Sequence, residues 1–192
     1  MYLAEGCTTG HSTVLISQLP KSKGYLPYKE LLDRLMGREA YHTGASWQFK
    51  HKALHDYLSQ FGYAKDKFIP DEIKNLSSRQ LEIFWEFYRL GDGHTEKNGR
   101  TRIVTGSKRM ADDLQEIAQK IGYSASVRER KSTPHALADG RIISGGNCWT
   151  ITLRFTKAQQ FHVQSHEYNG EVYCVSVPNE QLYVRLIRRF VH

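Results

Sequence analysis

The sequence lacks the features that would place a protein in a membrane or in an oxidising compartment. No apolar run approaches the ~20 residues that a helix needs to span a bilayer. The N-terminus has neither the basic leader nor the long apolar core of a secretory signal. The three cysteines, Cys7, Cys148 and Cys174, are widely separated and form no CxxC or Cys/His cluster. We therefore expect neither a disulfide framework nor a structural zinc site, and the cytoplasm is the simplest location.

Acidic residues are also few relative to basic ones. The 192 residues include 27 lysines and arginines against 20 aspartates and glutamates, which gives a net charge of +7 and a pI near 9.3. A hydrophobic content of 40% is typical of a globular chain with one substantial core or two small fused ones. The excess of positive charge indicates a polyanionic partner, with nucleic acid first, although many basic proteins bind none.

Two stretches of the chain share one order of features. In "MYLAEGCTTGHSTVLISQ" an apolar, helix-like run ends in Glu5-Gly6 and a strand-like run follows. In "WEFYRLGDGHTEKNGRTRIVTGS" the same order ends in Asp92-Gly93. An Asp-Gly pair after a helix is usually only a turn. Because both pairs follow an apolar run and precede a strand, we expect the two acids to belong to one site.

Periodicity predicts two mixed α+β halves joined by the segment "YAKDKFIPDEIKNLSS". The first half should contain a strand at 12–18, a helix at 28–36, two short strands within 40–50 and a helix at 51–62. The second should contain a helix at 78–90, a strand at 100–107, a helix at 107–122 and strands at 123–131 and 148–155. The predicted divisions of the chain are 1–76, 77–165 and 166–192.

Basic residues concentrate in the strands of the second half. Arg128 and Arg130 are two residues apart on one predicted strand, so they point to the same face of a sheet. Arg100 and Arg102 have the same spacing. Such residues often form only a solvated outer face. Two same-face pairs in neighbouring strands favour a cationic sheet surface.

These stretches resemble the paired motifs of the LAGLIDADG (dodecapeptide, DOD-type) homing endonucleases. "WEFYRLGDG" matches a full motif, "MYLAEG" matches the second part of one, and "KFIPDEI" and "TGSKRMADDLQEIAQKIGYSASVRER" are similar to flanking segments in intein-borne members. The resemblance covers residues 1–165. "YNGEVYCVSVPNEQLYVR" resembles the C-terminal block of an intein splicing domain, but the sequence ends "LIRRFVH", without the terminal Asn. We therefore expect an intein-derived chain that begins inside its first motif and does not splice.

The resemblance implies an α+β fold of two pseudo-symmetric αββαββα repeats that form a DNA-binding saddle, with the first motif helix truncated. It also implies a monomer that hydrolyses phosphodiester bonds of double-stranded DNA at a specific site. The two motif helices would deliver Glu5 and Asp92 to one centre as catalytic metal ligands. Carboxylates are the hard oxygen ligands that Mg²⁺ prefers, and Mg²⁺ is the expected cofactor.

The resemblance suggests further site residues. Gln18, with Ser107 as its approximate counterpart, would position water or would be an ordinary strand-end residue. Lys50 or Lys52 would lie near the scissile phosphate or on an ordinary surface. The predicted DNA contacts are Arg102, Arg128, Arg130 and Arg154 on bases, Lys108 and Lys131 on phosphates, and Arg100 beside them.

An alternative function remains open at this level. The missing front of the first motif helix favours a DNA- or RNA-binding remnant of an intein endonuclease that no longer cleaves. A pure splicing domain is not expected, because the terminal splicing residues are absent from the sequence.

Overall fold

The computed structural model describes residues 1–97, 99–136, 142–143, 145–154, 165, 167–171, 173 and 176. The helices are α1 (Tyr2–Glu5), α2 (Tyr25–Met36), α3 (Lys52–Ser59), α4 (Asp71–Lys74), α5 (Ser78–Asp92) and α6 (Lys108–Lys120). The strands are β1 (Gly6–Thr9), β2 (Thr13–Ser17), β3 (Ser46–Lys50), β4 (Gly93–Thr95), β5 (Thr101–Thr105), β6 (Ser124–Ser132), β7 (His135–Ala136), β8 (Ile142–Ile143) and β9 (Gly146–Arg154). All described strand pairs are antiparallel, and the predicted mixed α+β class is confirmed.

Both halves begin with the same helix-to-strand turn. Gly6 and Gly93 both have extended backbones, and their N–H groups donate to the carbonyls of Tyr2 and Arg89. A Cβ on either glycine would collide with the backbone of the residue four positions earlier. Glycine thus lets each helix turn directly into a strand, so that the preceding acid stays at the helix tip.

The first sheet has three strands in the order β1-β2-β3. Only one strand forms where two were predicted within 40–50, and His42 makes an isolated bridge to Trp47. The Thr43 hydroxyl accepts hydrogen bonds from the backbone N–H groups of Ala45 and Ser46. These local bonds close a tight turn and leave too few backbone groups for a second strand.

The second sheet has four strands in the order β4-β5-β9-β6. One of its faces packs against α6 and buries Ile103, Ile151 and Leu153. The Ser107 side chain accepts a hydrogen bond from the Met110 N–H at 3.1 Å, which confirms Ser107 as the N-cap of α6.

The linker between the halves is bonded to the second half. The buried Asp113 carboxylate on α6 accepts hydrogen bonds from the Ile69 N–H at 2.8 Å and the Lys74 ammonium at 3.3 Å. The Ser107 hydroxyl donates to the Lys67 carbonyl at 2.6 Å. These long-range bonds attach the linker and the end of α4 to α6.

The described residues divide into two compact units, Met1–Ala158 and Gln159–His192. In the second unit the few described residues include Tyr168 and Tyr173, whose hydroxyls donate to Glu171. The predicted splicing-block segment 166–192 lies mostly outside the described residues, and the threefold division of the chain stays a prediction. Across the described ranges, no helix is long and apolar enough to cross a membrane.

The two halves meet where α1 packs against α5 at Gly91. A Cβ at this position would lie 2.7 Å from Glu5 Cγ, 2.8 Å from Ala4 Cβ and 2.9 Å from the Tyr28 hydroxyl oxygen. The Tyr28 hydroxyl also donates to the Phe87 carbonyl of α5 at 2.6 Å. Only glycine fits this contact without moving α1.

We expect Gly91→Ala to destabilise the protein by about 1–3 kcal/mol, because the new methyl group would overpack the contact with Ala4. The better helix propensity of alanine, worth at most ~1 kcal/mol, would offset only part of this loss. Urea unfolding measures the difference. Gly106→Ala is the matched control, since its Cβ would meet nothing closer than 3.7 Å. Equal stability of the Gly91→Ala variant and the wild type would contradict the close packing of α1 against α5.

Candidate metal centre and nucleic-acid interface

The tips of α1 and α5 place two carboxylates beside each other. Glu5 is the last residue of α1 and Asp92 is the last residue of α5. The side chain of Glu5 passes over Gly91, the immediate neighbour of Asp92. The structure therefore brings together the two acids that the sequence predicted to share a site.

The environment of the two acids opposes their ionisation. Burial raises the pKa of Asp92 to about 6, and the nearby Glu5 charge adds to this shift. A hydrogen bond from the Tyr88 hydroxyl and the Lys67 charge oppose the shift. Burial also raises the pKa of Glu5, against the opposing effect of Lys67. Two half-buried carboxylates that repel each other form a site that favours a bound cation.

Lys67 is a site residue that the sequence analysis missed. Its ammonium donates to the carbonyls of Tyr2 and Leu3 at 3.2 Å each and to the Gly6 carbonyl at 2.8 Å. It also lies 5.4 Å from the centre of the Tyr2 ring. These bonds satisfy the carbonyls at the C-terminal end of α1, where a helix attracts positive charge. The signal that the sequence offers for Lys67 is its place in "KFIPDEI", the segment that resembles the flank of the second motif.

Lys67 and Asp92 line one cleft of about 370 Å³. Cys7, Tyr63 and Val104 are also among its lining residues. Burial lowers the pKa of Lys67, while the charges of Asp92, Cys7 and Glu5 act in the opposite direction. The cleft thus combines an acid that resists ionisation with a cation that is partly desolvated.

Gln18 lies near the end of α5. Its side chain is buried, and its Nε2 has no hydrogen-bond partner within the described part of the chain. A Cβ built on Gly24 would lie 2.9 Å from the Gln18 Nε2 atom and 3.0 Å from the Leu90 carbonyl oxygen. These two atoms are therefore close neighbours. The unsatisfied amide of Gln18, beside the carbonyl of Leu90 near the end of α5, is available to hold a water molecule.

The other predicted polar residues lie elsewhere. Lys50 on β3 pairs with Thr13 on β2, which in turn pairs with Thr9 on β1. Lys50 is thus two strands across and three residues along from Gly6, a separation on the order of 14 Å from the turn that follows Glu5. Lys52 forms an exposed ion pair with Asp56 at 2.9 Å. Ser107 is occupied as the cap of α6. By strand register the counterpart of Gln18 is Thr105 and not Ser107, because Ile16 and Ile103 hold equivalent places.

The donor set at the acids fits a hard divalent cation. The described residues contain no cluster of three or more His, Cys, Asp or Glu side chains that could hold a metal alone. Glu5 and Asp92 therefore supply two carboxylate donors, and a bound cation would need further oxygen donors from water or phosphate. Such sparse coordination by protein is usual for Mg²⁺ at phosphate-binding sites.

The second sheet has an exposed polar face opposite the one that packs on α6; we call it the arginine face. The register aligns this face in rows that comprise His94, Arg102, Thr152 and Ser126; then Val104, Thr150 and Arg128; then Cys148 and Arg130. Residues opposite each other in an antiparallel pair share a face. Arg102, Arg128 and Arg130 therefore project from one surface, as the spacing of Arg128 and Arg130 predicted.

The remaining predicted DNA contacts are distributed differently. Lys131 alternates with Arg130 and so belongs to the opposite face. Lys108 lies on α6 and pairs with Asp112 at 2.6 Å. Arg100 precedes β5, in the turn where its carbonyl accepts the Glu96 N–H. Arg154 ends β9, with its backbone paired to Ser124, and its side chain lies outside the described structure.

Most of the second half matches a known family model. Residues 80–155 match the family described as the LAGLIDADG-like domain. This span runs from α5, which carries Asp92, to the end of β9, and it includes every residue of the arginine face. The resemblance found in the sequence is thus confirmed for this part of the chain.

Two curated proteins contain a similar segment. The chain is 33% identical over 92 residues to a DNA-directed RNA polymerase subunit beta C-terminal section from Stigeoclonium helveticum, covering 42% of this chain. It is 29% identical over 99 residues to an ATP-dependent Clp protease proteolytic subunit from Chlamydomonas moewusii, covering 50% of this chain. The matches span only 8% and 10% of the lengths of these two relatives.

Solved structures of the homing endonuclease I-DmoI are also similar. Mesophilic variants of I-DmoI share 12% identity with a TM-score of 0.47, covering 78% of this chain and 80% of that chain. I-DmoI in complex with DNA and Ca shares 14% identity with a TM-score of 0.46, covering 74% and 69% of the two chains.

We expect Asp92→Asn to stabilise the metal-free protein at neutral pH. With its pKa raised to about 6, Asp92 holds a proton in the folded state that the unfolded chain releases near its ordinary value of 3.8. Stability contributed by this protonation is complete below about pH 4 and is lost as the pH rises through about 6. The Asn variant should therefore gain up to about 2–3 kcal/mol over the wild type at pH 7 but little at pH 4.

Thermal unfolding between pH 4 and pH 7 in a chelator measures this difference. Asp112→Asn is the control, because that carboxylate forms an i,i+4 pair with Lys108 on a helix surface. Its removal should lower stability by at most ~1 kcal/mol. A pH-independent difference between Asp92→Asn and the wild type would contradict the raised pKa.

We expect Lys67→Met to destabilise the protein by roughly 1.5–3 kcal/mol, because three carbonyls at the end of α1 lose a charged donor. The loss should grow between pH 4 and pH 7 as the two acids ionise without the Lys67 charge beside them. Urea unfolding at both pH values tests this. Lys65→Met, two residues away on an exposed side chain, should change stability by about 0.5 kcal/mol or less. Equal stability of the two variants would exclude the capping role of Lys67.

Proposed function

We propose that this chain is a site-specific DNA endonuclease of the homing type, which hydrolyses phosphodiester bonds with a divalent metal held by Glu5 and Asp92. The observation that carries the proposal is the meeting of two helix tips that place two half-buried carboxylates side by side. Mg²⁺ is the ion that this oxygen donor set favours.

The protein groups around the acids have separate roles in this proposal. Glu5 and Asp92 supply the two carboxylate donors, and the Tyr88 hydroxyl orients Asp92 through its hydrogen bond. Lys67 holds the tip of α1 and adds positive charge to the cleft beside Asp92. The buried amide of Gln18 is free to orient a water molecule. A divalent cation bound at the acids would supply polarisation of the phosphate and activation of water.

The arginine face supports duplex DNA as the substrate. The major groove of B-DNA admits strands, and arginine binds guanine edges through two hydrogen bonds. The face is contiguous with the acid-bearing turn through β4, which begins directly after Asp92. A duplex that lies on this face would therefore bring its backbone toward the acids. We expect a monomer to act, because both acids come from one chain.

The two curated relatives support an intein origin. They bear unrelated names, and the similar segment occupies a tenth or less of each. A segment that recurs within unrelated longer proteins is what an inserted mobile element would produce. We therefore propose that the chain derives from an intein, with a splicing-block remnant after residue 165 and a location in the compartment of its host protein.

A second candidate function is a DNA- or RNA-binding remnant without cleavage. The observation that favours it is the environment of the two acids, where burial and mutual repulsion raise the pKa of Asp92 to about 6 and oppose the ionised form that holds a metal. The Lys67 charge and the Tyr88 hydrogen bond act against this shift, so we place cleavage first.

We expect Asp92→Asn to abolish cleavage while preserving DNA binding. The substitution keeps the size of the side chain but removes the charge that holds a divalent cation. Cleavage of a plasmid library in Mg²⁺ should fall by orders of magnitude. Binding to the same DNA in Ca²⁺ should persist or tighten, because a negative charge that faces phosphates is gone.

Glu5→Gln should behave in the same way, and Glu82→Gln, on the exposed side of α5, should cleave like the wild type. Full cleavage by folded Asp92→Asn protein would rule out the catalytic assignment. Binding without cleavage by the wild type would select the second candidate function.

A further inference from the structure

Arg128 and Arg130 differ from Arg102 in their local partners. Arg102 forms an ion pair with Glu96 at 3.0 Å, which holds its guanidinium over the β4–β5 hairpin. Arg128 and Arg130 are exposed, and within the described ranges neither has a carboxylate partner. Their guanidinium donors are therefore available to a ligand, whereas part of the donor set of Arg102 is already used.

The spacing of these two arginines matches the spacing of base pairs. Residues i and i+2 on a strand are about 6.6 Å apart. Two base-pair steps along B-DNA rise about 6.8 Å, at 3.4 Å per nucleotide of one strand. A strand that follows the major groove would thus align Arg128 and Arg130 with bases two positions apart. Both donors would keep the same orientation relative to the base edges.

The first sheet has no equivalent of this pair. Its exposed face, fully within the described residues, comprises Cys7, Leu15 and Gln48; Thr9, Thr13 and Lys50; and Ser17 and Ser46. By register Leu15 takes the place of Arg102, because Gly6–Ile16 corresponds to Gly93–Ile103. The strand that would correspond to β6 is reduced to the His42 bridge. Lys50 is the one cationic residue in these described strand rows, and Arg38, which lines a cleft with Gln48 and Lys50, lies outside the strands beside Glu39.

We infer that Arg128 and Arg130 specify two guanines, two base pairs apart, in the half of the target bound by the second sheet. Each arginine would donate two hydrogen bonds to the O6 and N7 acceptors of its guanine. Thr150 and Val104, in the row of Arg128, form a small apolar surface suited to a thymine methyl group. The first sheet would read its half through hydroxyl, amide and apolar contacts without guanine-specific arginines. This inference rests on the proposed function.

Selection of bound duplexes from a random library tests the inference with the Asp92→Asn protein in Ca²⁺, so that no DNA is cut. We expect one half of the selected sites to contain guanines at two positions separated by one base pair. Arg128→Ala should abolish the preference at one of these positions and Arg130→Ala at the other, because alanine has no donor for the O6 and N7 acceptors of guanine. Each variant should lose on the order of 10- to 100-fold in discrimination at its own position.

Two controls separate base reading from general attraction. Lys131→Ala, on the opposite face of the same strand, should leave the base preference unchanged. Replacing each selected guanine by 7-deazaguanine removes the N7 acceptor without altering the protein, and should weaken wild-type binding but not that of the matching alanine variant.

The possible failures are distinguishable. Guanine preferences that survive both alanine variants, or selected sites with equal guanine content in both halves, would overturn this inference and leave the endonuclease proposal intact. Absence of any duplex binding would overturn the proposed function itself.

Discussion

The contact between α1 and α5 at Gly91 is the constraint on which the candidate site depends. It forces two carboxylates of like charge into a partly desolvated position, where Coulomb repulsion is stronger than in water. Placing two like charges together in this way does not add to the stability of the fold. Because Gly91 has no side chain, α1 and α5 can approach closely enough to place Glu5 beside Asp92.

Lys67 links this contact to the rest of the first unit. Its backbone is bonded to the start of α6 through Ser107, and its side chain is bonded to the end of α1. One residue of the linker therefore fixes the tip of the first helix relative to the second half. A four-residue helix is far below the ~12–15 residues that an isolated helix needs to persist in water. Tertiary bonds of this kind, and not helix propensity, hold Glu5 in place.

The two sheets have the same strand arrangement at their starts, but their exposed faces carry different side chains. Each begins at an acid-glycine turn, and each buries one face under helices or the common core. The second sheet has a full fourth strand, β6, which exposes Arg128 and Arg130. The corresponding segment of the first sheet closes into the turn at Thr43, so the exposed faces of the two sheets differ. A pseudo-symmetric scaffold can in this way present two chemically different surfaces to one extended ligand.

The sequence by itself determined the local features of this protein. Period and capping residues predicted most helices and strands, with Ser107 and Gly122 marking the limits of α6, and the two acid-glycine turns predicted that Glu5 and Asp92 share a site. The i,i+2 spacing placed Arg128 and Arg130 on one face, because strand geometry is local. The single strand in place of two within 40–50 was not predictable, since it depends on hydrogen bonds of the Thr43 side chain that compete with pairing.

Only the tertiary structure decided which distant residues complete the site. Lys67 lies more than sixty positions from the carbonyls it caps, and no periodicity of its own segment points to them. Lys50 and Lys52 were equally plausible in sequence, yet the register of β3 and the pair with Asp56 direct them elsewhere. Propensity and spacing act over a few residues, whereas burial, charge and donor geometry at a site come from segments that meet only when the chain has folded.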